Sequence, residues 1–342
     1  MSASITPVRA ALHQAAEAAV LAPSVHNTQP WRFRLTGDAL EIYADHGRQL
    51  AVLDPTGRQL LISVGCAIFN ARVAAETQGY RPAVEILADS GPADPVARIT
   101  LPDKHQGWLP LATYADCLSR RQTNRRRFEG EPVSAELVYR LIGAASEEGA
   151  RLTEVRHVDH RQAVARLSQR ADSEEVLNPA YRAELRRWTS DDPKRPDGVP
   201  AMVVPHVDGS AHDDIPIRDF DTRGIGWLPA GTKSSVDQCL LVLGTDSDDP
   251  AGWLAAGQAL EHAWLEATKG NLVAGLFTQV IEVPFTRERL RTELGLTMHP
   301  HVVLRVGHAS LTASTRRRLL RDMLIEPSDG QPASTRLASR AN

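Results

Sequence analysis

The sequence predicts a mixed chain of helices and strands built as two related halves, with an insert in the second. Three observations lead there. The stretch Gly65-Cys66-Ala67-Ile68-Phe69-Asn70-Ala71-Arg72-Val73-Ala74-Ala75-Glu76 returns in kind as Gly257-Gln258-Ala259-Leu260-Glu261-His262-Ala263-Trp264-Leu265-Glu266-Ala267-Thr268, with one Gly and three Ala in step. Each half also opens with an amphipathic helix followed by a strand, as expected of a repeated unit. The repeated helices are offset by 192 positions and the opening helices by about 126, which leaves an insert of roughly 65 residues in the second half. A polar stretch from Thr189 to Ser235, rich in Asp, Pro and Gly, falls there and reads as a lid, a binding loop or a disordered insert. Ala-rich helices also resemble one another by chance, and composition alone leaves that reading open.

The elements follow in order. Val8, Leu12, Ala15 and Ala19 recur at helical spacing between Pro7 and Leu21, and Pro23 ends that helix. Trp31-Arg32-Phe33-Arg34-Leu35 alternates, Thr36-Gly37-Asp38 turns, and Leu40 to Ala44 runs back, which reads as a hairpin. Arg58 to Gln78 is apolar nearly all round, the mark of a central buried helix. Residues 82–87 and 97–101 read as strands. Ser134 caps a helix whose first turn holds Glu136 and whose apolar face is Leu137, Leu141 and Ala144 or Ala145. A strand over 151–158, helices to about Trp188, a strand over 238–244, helices over 253–269 and 287–294, and a strand over 301–306 complete the chain. Beyond Pro327 the composition is that of a disordered tail.

Composition narrows the function. The 342 residues are 42% hydrophobic and 24% charged, with a formal net charge of −3, so no global field favours nucleic acid or an anionic membrane. No apolar run approaches the roughly 18 to 20 residues of a membrane span, and Met1 to Ala10 lacks a signal-peptide pattern, so a cytoplasmic location is expected. Cys66, Cys117 and Cys239 are odd in number and far apart, unlike a disulfide framework or a CxxC zinc site. His157-Val158-Asp159-His160 and His299-Pro300-His301 lack the helical i, i+4 spacing of a zinc site, so no metal is expected. The GxGxxG, GxxxxGKS/T and GxSxG signatures are also missing.

Two motifs remain. In Ala22-Pro23-Ser24-Val25-His26-Asn27-Thr28-Gln29-Pro30-Trp31, prolines bracket neutral side chains that both donate and accept hydrogen bonds. Such a turn suits a planar heterocycle with carbonyls and ring nitrogens; a loop whose polar groups merely satisfy its backbone fits equally. Arg120 to Arg127 holds five arginines in eight positions. A solvated basic face is the ordinary reading. An extended Arg121-x-Thr123-x-Arg125, however, turns all three side chains to one side, where two guanidiniums and a hydroxyl match a phosphate monoester. Arg316-Arg317-Arg318 is placed to complete that pocket. A nucleic-acid patch is the weaker reading, because aromatics are not interleaved.

With these residues in view, the chain resembles the FMN-dependent nitroreductase family. The Pro-Ser-x-x-Asn-x-Gln-Pro-Trp turn, the Arg-x-Thr-x-Arg run and Val280-Ile281-Glu282 before a short last helix carry the likeness. Gly198-Val199-Pro200 and Arg218-Asp219-Phe220 within the insert are similar to the Acg-type, NAD(P)H nitroreductase branch. The likeness spans roughly residues 5 to 325. It implies an α+β, nitroreductase-like fold duplicated in one chain: halves at 1–110 and 111–326, intertwined like a nitroreductase homodimer, a lid at about 189–235, and a tail at 327–342. Ser24, Asn27 and Gln29 would then lie against the isoalloxazine or ribityl of FMN, and the backbone around Glu282 near the ring edge. Arg121, Thr123, Arg125 and Arg316 or Arg317 would hold the phosphate. The family often has glycine after that Glu, where this chain has Val283. Only the first half has the Pro-Ser turn and only the second has the arginine run, so the resemblance implies one FMN per chain. The implied partners are NAD(P)H as electron donor and a small nitroaromatic or quinone as acceptor, with no nucleic acid or membrane, in a monomer that mimics a dimer and for which further dimerisation stays open. An FMN-sequestering or storage protein, its lid closed over the flavin, is the alternative.

Overall fold

The computed structural model describes residues 6–88, 91–126, 128–190, 192, 194–205, 218–220 and 238–326. The expected tail at 327–342 lies outside them, as do 191, 193, 206–217 and 221–235 of the expected lid. The first part of the chain runs α1 (Pro7–Val20), β1 (Trp31–Leu35), β2 (Ala39–Ala44), α2 (Arg58–Thr77), β3 (Ala83–Ile86) and β4 (Ala97–Thr100). A short α3 (Cys117–Arg120) leads into α4 (Ala135–Glu147), β5 (Arg151–Glu154), α5 (Val158–Leu177), α6 (Pro179–Trp188), β6 (Cys239–Thr245), α7 (Pro250–Lys269), β7 (Val273–Phe277), α8 (Gln279–Glu282), α9 (Pro284–Glu293) and β8 (His299–Gly307).

Helix starts follow their local chemistry. The hydroxyls of Thr6 and Ser134 and the carboxylate of Asp249 accept from the first-turn amides of α1, α4 and α7, and Pro7 and Pro250 occupy positions that have no amide to lose. The strands form two antiparallel four-stranded sheets of the same order, β1-β2-β4-β3 and β5-β6-β8-β7. This is an α+β architecture. The boundaries that differ most from the sequence reading are those of α7 and α9, which each start three residues earlier at Pro250 and Pro284, and of β5, which stops at Glu154 with Val158 already beginning α5. Arg156, His157, Asp159 and His160 break the alternation a strand needs, and Asp159 sits favourably in the positive first turn of α5.

Where β1 and β2 are joined by a tight turn, β5 and β6 are separated by residues 155–238, which include α5 and α6. A second addition, α8 and α9, lies between β7 and β8.

Helices α2 and α7 cross at the centre. A Cβ on Gly65 would stand 2.3 Å from the Leu254 carbonyl oxygen, and one on Gly257 would stand 2.1 Å from that of Ile62. The contact is reciprocal, residue for residue, as in a twofold interface. Bare backbones alone permit this approach. By length and composition α2 is the one helix among the described residues apolar enough to cross a membrane, yet 83% of that stretch is buried within the protein. Its apolar girth covers both sheets' helices rather than facing lipid. The C-terminal segment returns to the first sheet, where Phe33 donates its N–H to the Met323 carbonyl at 3.0 Å and accepts from Ile325 at 2.7 Å.

Candidate functional site

The turn after α1 is held in an uncommon conformation. His26, Asn27 and Gln29 have φ of 46°, 55° and 50°, the left-handed region that costs energy for residues with a Cβ, though His and Asn tolerate it better than most. Local bonds enforce it. The Ser24 hydroxyl accepts from the Gln29 amide at 2.9 Å, and Ser63 of α2 accepts from the Val25 amide at 3.1 Å. Gln29, fully buried, donates to the Pro196 carbonyl at 2.9 Å and accepts from the Arg318 amide at 2.7 Å. Asn27 donates to the carbonyls of Gly198 (2.9 Å) and Arg316 (3.2 Å) and accepts from Arg317 at 3.1 Å. The turn therefore ties the insert and the C-terminal segment to α1.

Opposite lies the extended segment after α3. Thr123 bridges to Ala274 of the edge strand β7, and Asn124 donates its amide to the Ala274 carbonyl at 2.8 Å. Gly275 makes room, since a Cβ there would meet the Asn124 carbonyl at 2.6 Å. With the buried Asn124 side chain pinned to the Ser310 carbonyl, alternation brings Arg121, Thr123 and Arg125 to one wall.

Two adjoining cavities fill the space between turn and segment, both walled by Pro23, Ser24, Thr123 and Arg125. They enclose about 870 and 830 Å³ of free space, open mouths included. The outer chamber is cationic. Arg121 and Arg317 both reach the Leu21 carbonyl, at 3.4 and 3.3 Å, and Arg121 stacks 4.8 Å from the Trp264 ring centre. Glu261, fully buried on α7, lies 3.2 Å from Arg121 without an aligned hydrogen bond to either of its oxygens. Burial raises its pKa to about 7, against the pull of Arg121. Burial and the repulsion of Arg121 lower Arg317 to about 9, and burial with Arg218 lowers Arg125 to about 10. Among the described residues Glu261 is the only carboxylate paired with any of these three arginines.

The inner chamber is lined by apolar groups of α2, α7, β7 and β8 and by as many polar ones, among them His26, Gln59, Ser63, Asn124, Thr278 and Arg305. Arg218 and Phe220 of the long insert complete it. Phe220 meets the His26 ring edge-on with centres 5.1 Å apart, and the Arg125 guanidinium lies 4.9 Å from its centre. Arg218 is bound behind by Glu282, Tyr181 and Glu175. Burial works against its charge, but these partners hold its pKa above the ordinary value. Burial raises Glu175 to about 8.

No protein-family model matches the chain. Among curated proteins it is 32% identical over 320 residues to "Putative NAD(P)H nitroreductase Rv3131" of Mycobacterium tuberculosis, covering 91% of this chain and 90% of that protein. The chain belongs to the NAD(P)H nitroreductase family. "Putative NAD(P)H nitroreductase acg" of the same organism is 26% identical over 302 residues, covering 87% of this chain and 89% of that protein, in keeping with the Acg-type branch. Of solved structures, an FMN-bound nitroreductase from Desulfitobacterium hafniense covers 63% of the chain at 12% identity with a TM-score of 0.40, and one from Bacteroides fragilis covers 66% at 10% identity with a TM-score of 0.36.

In this Acg-type chain Ser24, Asn27, Arg121, Thr123, Arg125 and Arg317 come together on the two chambers. Gln29, Glu282 and Arg316 do not line them. Gln29 is used as a pin, Arg316 offers its carbonyl to Asn27 while its side chain is exposed, and Glu282 stands behind Arg218. Thr278, rather than Val280 to Glu282, reaches the inner chamber. Sequence reasoning missed His26, Gln59, Glu261, Arg218 and Arg305 as site residues. His26 stood inside the singled-out turn and Arg218 inside the branch motif; Gln59, Glu261 and Arg305 lie in apolar helices and strands, where nothing but their polarity marked them.

Proposed function

We propose that the chain is an FMN-binding NAD(P)H oxidoreductase holding one flavin per chain between two halves that arose by duplication. One observation carries this: Arg121, Arg125 and Arg317 converge on one chamber, with Glu261 the one carboxylate among the described residues paired to them, and that chamber adjoins a second whose wall mixes apolar and hydrogen-bonding side chains, as a phosphate joined to a planar ring with carbonyls and ring nitrogens requires. A phosphate monoester brings close to two negative charges, which offsets the excess of cations. Arg125 and Arg317 would take its oxygens, with Thr123 alongside, and Arg121 would share itself between phosphate and Glu261. Ser24 stands where the two chambers meet, and Asn27 aims Arg317. The matched strand orders and the reciprocal Gly65–Gly257 contact support the duplication.

Bound there, flavin supplies the two-electron chemistry, from NAD(P)H to a nitroaromatic or quinone. The side chains hold and exclude water; none need act as nucleophile. A second reading, flavin sequestration, is favoured by Phe220 and Arg218 of the insert forming part of the inner wall. Anaerobic spectra of flavin-loaded protein separate the two. Bleaching by NADH or NADPH with reoxidation by a nitroarene supports the oxidoreductase, and bleaching by dithionite alone overturns it in favour of sequestration.

A further inference from the structure

The inner chamber contains buried polar atoms that the protein itself leaves unsatisfied. His26 is 7% exposed, and neither ring nitrogen has a hydrogen-bond partner. Gln59 of α2 is 5% exposed and its amide nitrogen is likewise unpartnered. Both line the chamber. Leaving such groups dry is unfavourable, because their hydrogen bonds to water are lost and not replaced, and His26 is held there on a left-handed backbone. Ser24, Asn27 and Gln29 of the same turn have partners within the protein, and Thr28, whose hydroxyl also lacks one, does not line the chamber.

We propose that His26 and Gln59 are ligand-binding residues that recognise the carbonyl and N–H edge of the flavin ring, and so confer specificity for the ring independently of the phosphate. The proposal rests on the flavin reading above. A neutral imidazole offers one donor and one acceptor, and the Gln59 amide nitrogen adds donors. In number and kind these complement an edge that presents carbonyl, N–H and carbonyl. Burial, with Arg218 and Arg125 nearby, lowers the pKa of His26 and keeps the ring neutral, so it retains its acceptor. A charged histidine would only donate.

Riboflavin, which lacks the phosphate, is the probe. Its affinity for the flavin-free full chain is read by fluorescence quenching, and orthophosphate binding is read separately as a rise in melting temperature. His26→Phe keeps a ring against Phe220 and Gln59→Leu leaves the backbone untouched; each is expected to weaken riboflavin about tenfold or more while the orthophosphate response stays. His26→Asn, which tolerates the same backbone and keeps a donor and an acceptor, is expected to hold riboflavin within about threefold. Unchanged riboflavin affinity in both His26→Phe and Gln59→Leu overturns the proposal, as does an equal loss of the orthophosphate response, which would mark general damage. Wild-type protein that binds orthophosphate but neither riboflavin nor FMN overturns the flavin reading itself.

Discussion

The two sides of the α2–α7 crossing carry equivalent positions and opposite chemistry. On one side Phe69 stacks on His262 with ring centres 4.7 Å apart, Arg72 lies over Phe69 and bonds Gln258 and Glu148, and the His262 ring is 3.3 Å from Glu148. On the other side the repeat puts Glu261 where Phe69 stands, Asn70 where His262 stands and Trp264 where Arg72 stands. Burial works against the charge of Glu148, yet His262 and Arg72 hold it below the usual carboxylate range; Glu261 is pushed up to about 7. On the first side the carboxylate of Glu148 has two partners, Arg72 and His262. The second keeps a surplus of arginines around one strained carboxylate, which is what a site prepared for an anion looks like.

The largest expected effect falls on what both sides share. Gly65→Ala places a methyl 2.3 Å from the Leu254 carbonyl, so the helices must part. A loss of about 3 kcal/mol or more in urea unfolding is expected; an unchanged midpoint would show that the crossing is loose. Next comes the asymmetry itself. Arg125→Ala is expected to weaken FMN about 100-fold and riboflavin less than threefold. On the first side, Arg72→Ala should leave FMN affinity alone and cost about 2 kcal/mol of stability, because its pair with Glu148 is partly exposed. Equal effects of the two variants on FMN titration would erase the comparison.

Titration of Glu261 sharpens it further. A carboxyl whose pKa is higher in the folded chain than its ordinary 4.5 binds protons more tightly when folded. Its contribution is therefore fully present below about pH 4.5 and is lost as pH rises through about 7. Glu261→Gln should flatten that slope in flavin-free protein by up to about 3 kcal/mol across the window, seen as denaturation midpoints that differ from wild type more at pH 8 than at pH 4.5. Parallel pH curves for the two proteins would mean that Glu261 is an ordinary carboxylate. The smallest effect separates neighbours. Arg316→Ala should change FMN affinity less than about twofold and Arg317→Ala about tenfold or more, and the reverse order would reassign the third arginine of the cradle.

Much of this was legible locally. The 3.6-residue pattern located α1 and α4, all-round apolarity located α2, and alternation with a Thr-Gly-Asp turn located the β1–β2 hairpin, each to within a residue or two. The Arg-x-Thr-x-Arg segment was legible for the same reason: extended alternation dictates which side chains share a wall. The length of chain between β5 and β6 was not legible, because α5 has a weak apolar stripe of Ala163, Val164, Leu167 and Ala171 that reads as an ordinary helix. Gln29 looked like a ligand group because hydrogen-bonding capacity is visible in sequence, whereas the partners that consume it, Pro196 and Arg318, arrive from distant chain.

By itself, then, the sequence determined the elements, their caps, the near-repeat of the central helices and the alternation of the arginine segment, all properties of residues within a few positions of one another. Tertiary structure alone decided that Gly65 meets Gly257, that Arg317 joins Arg121 at the Leu21 carbonyl, that Glu261 sits beneath them, and that His26 is left without a partner. Those contacts join residues far apart in the chain, and whether a polar group is satisfied depends on every group that packing brings within reach.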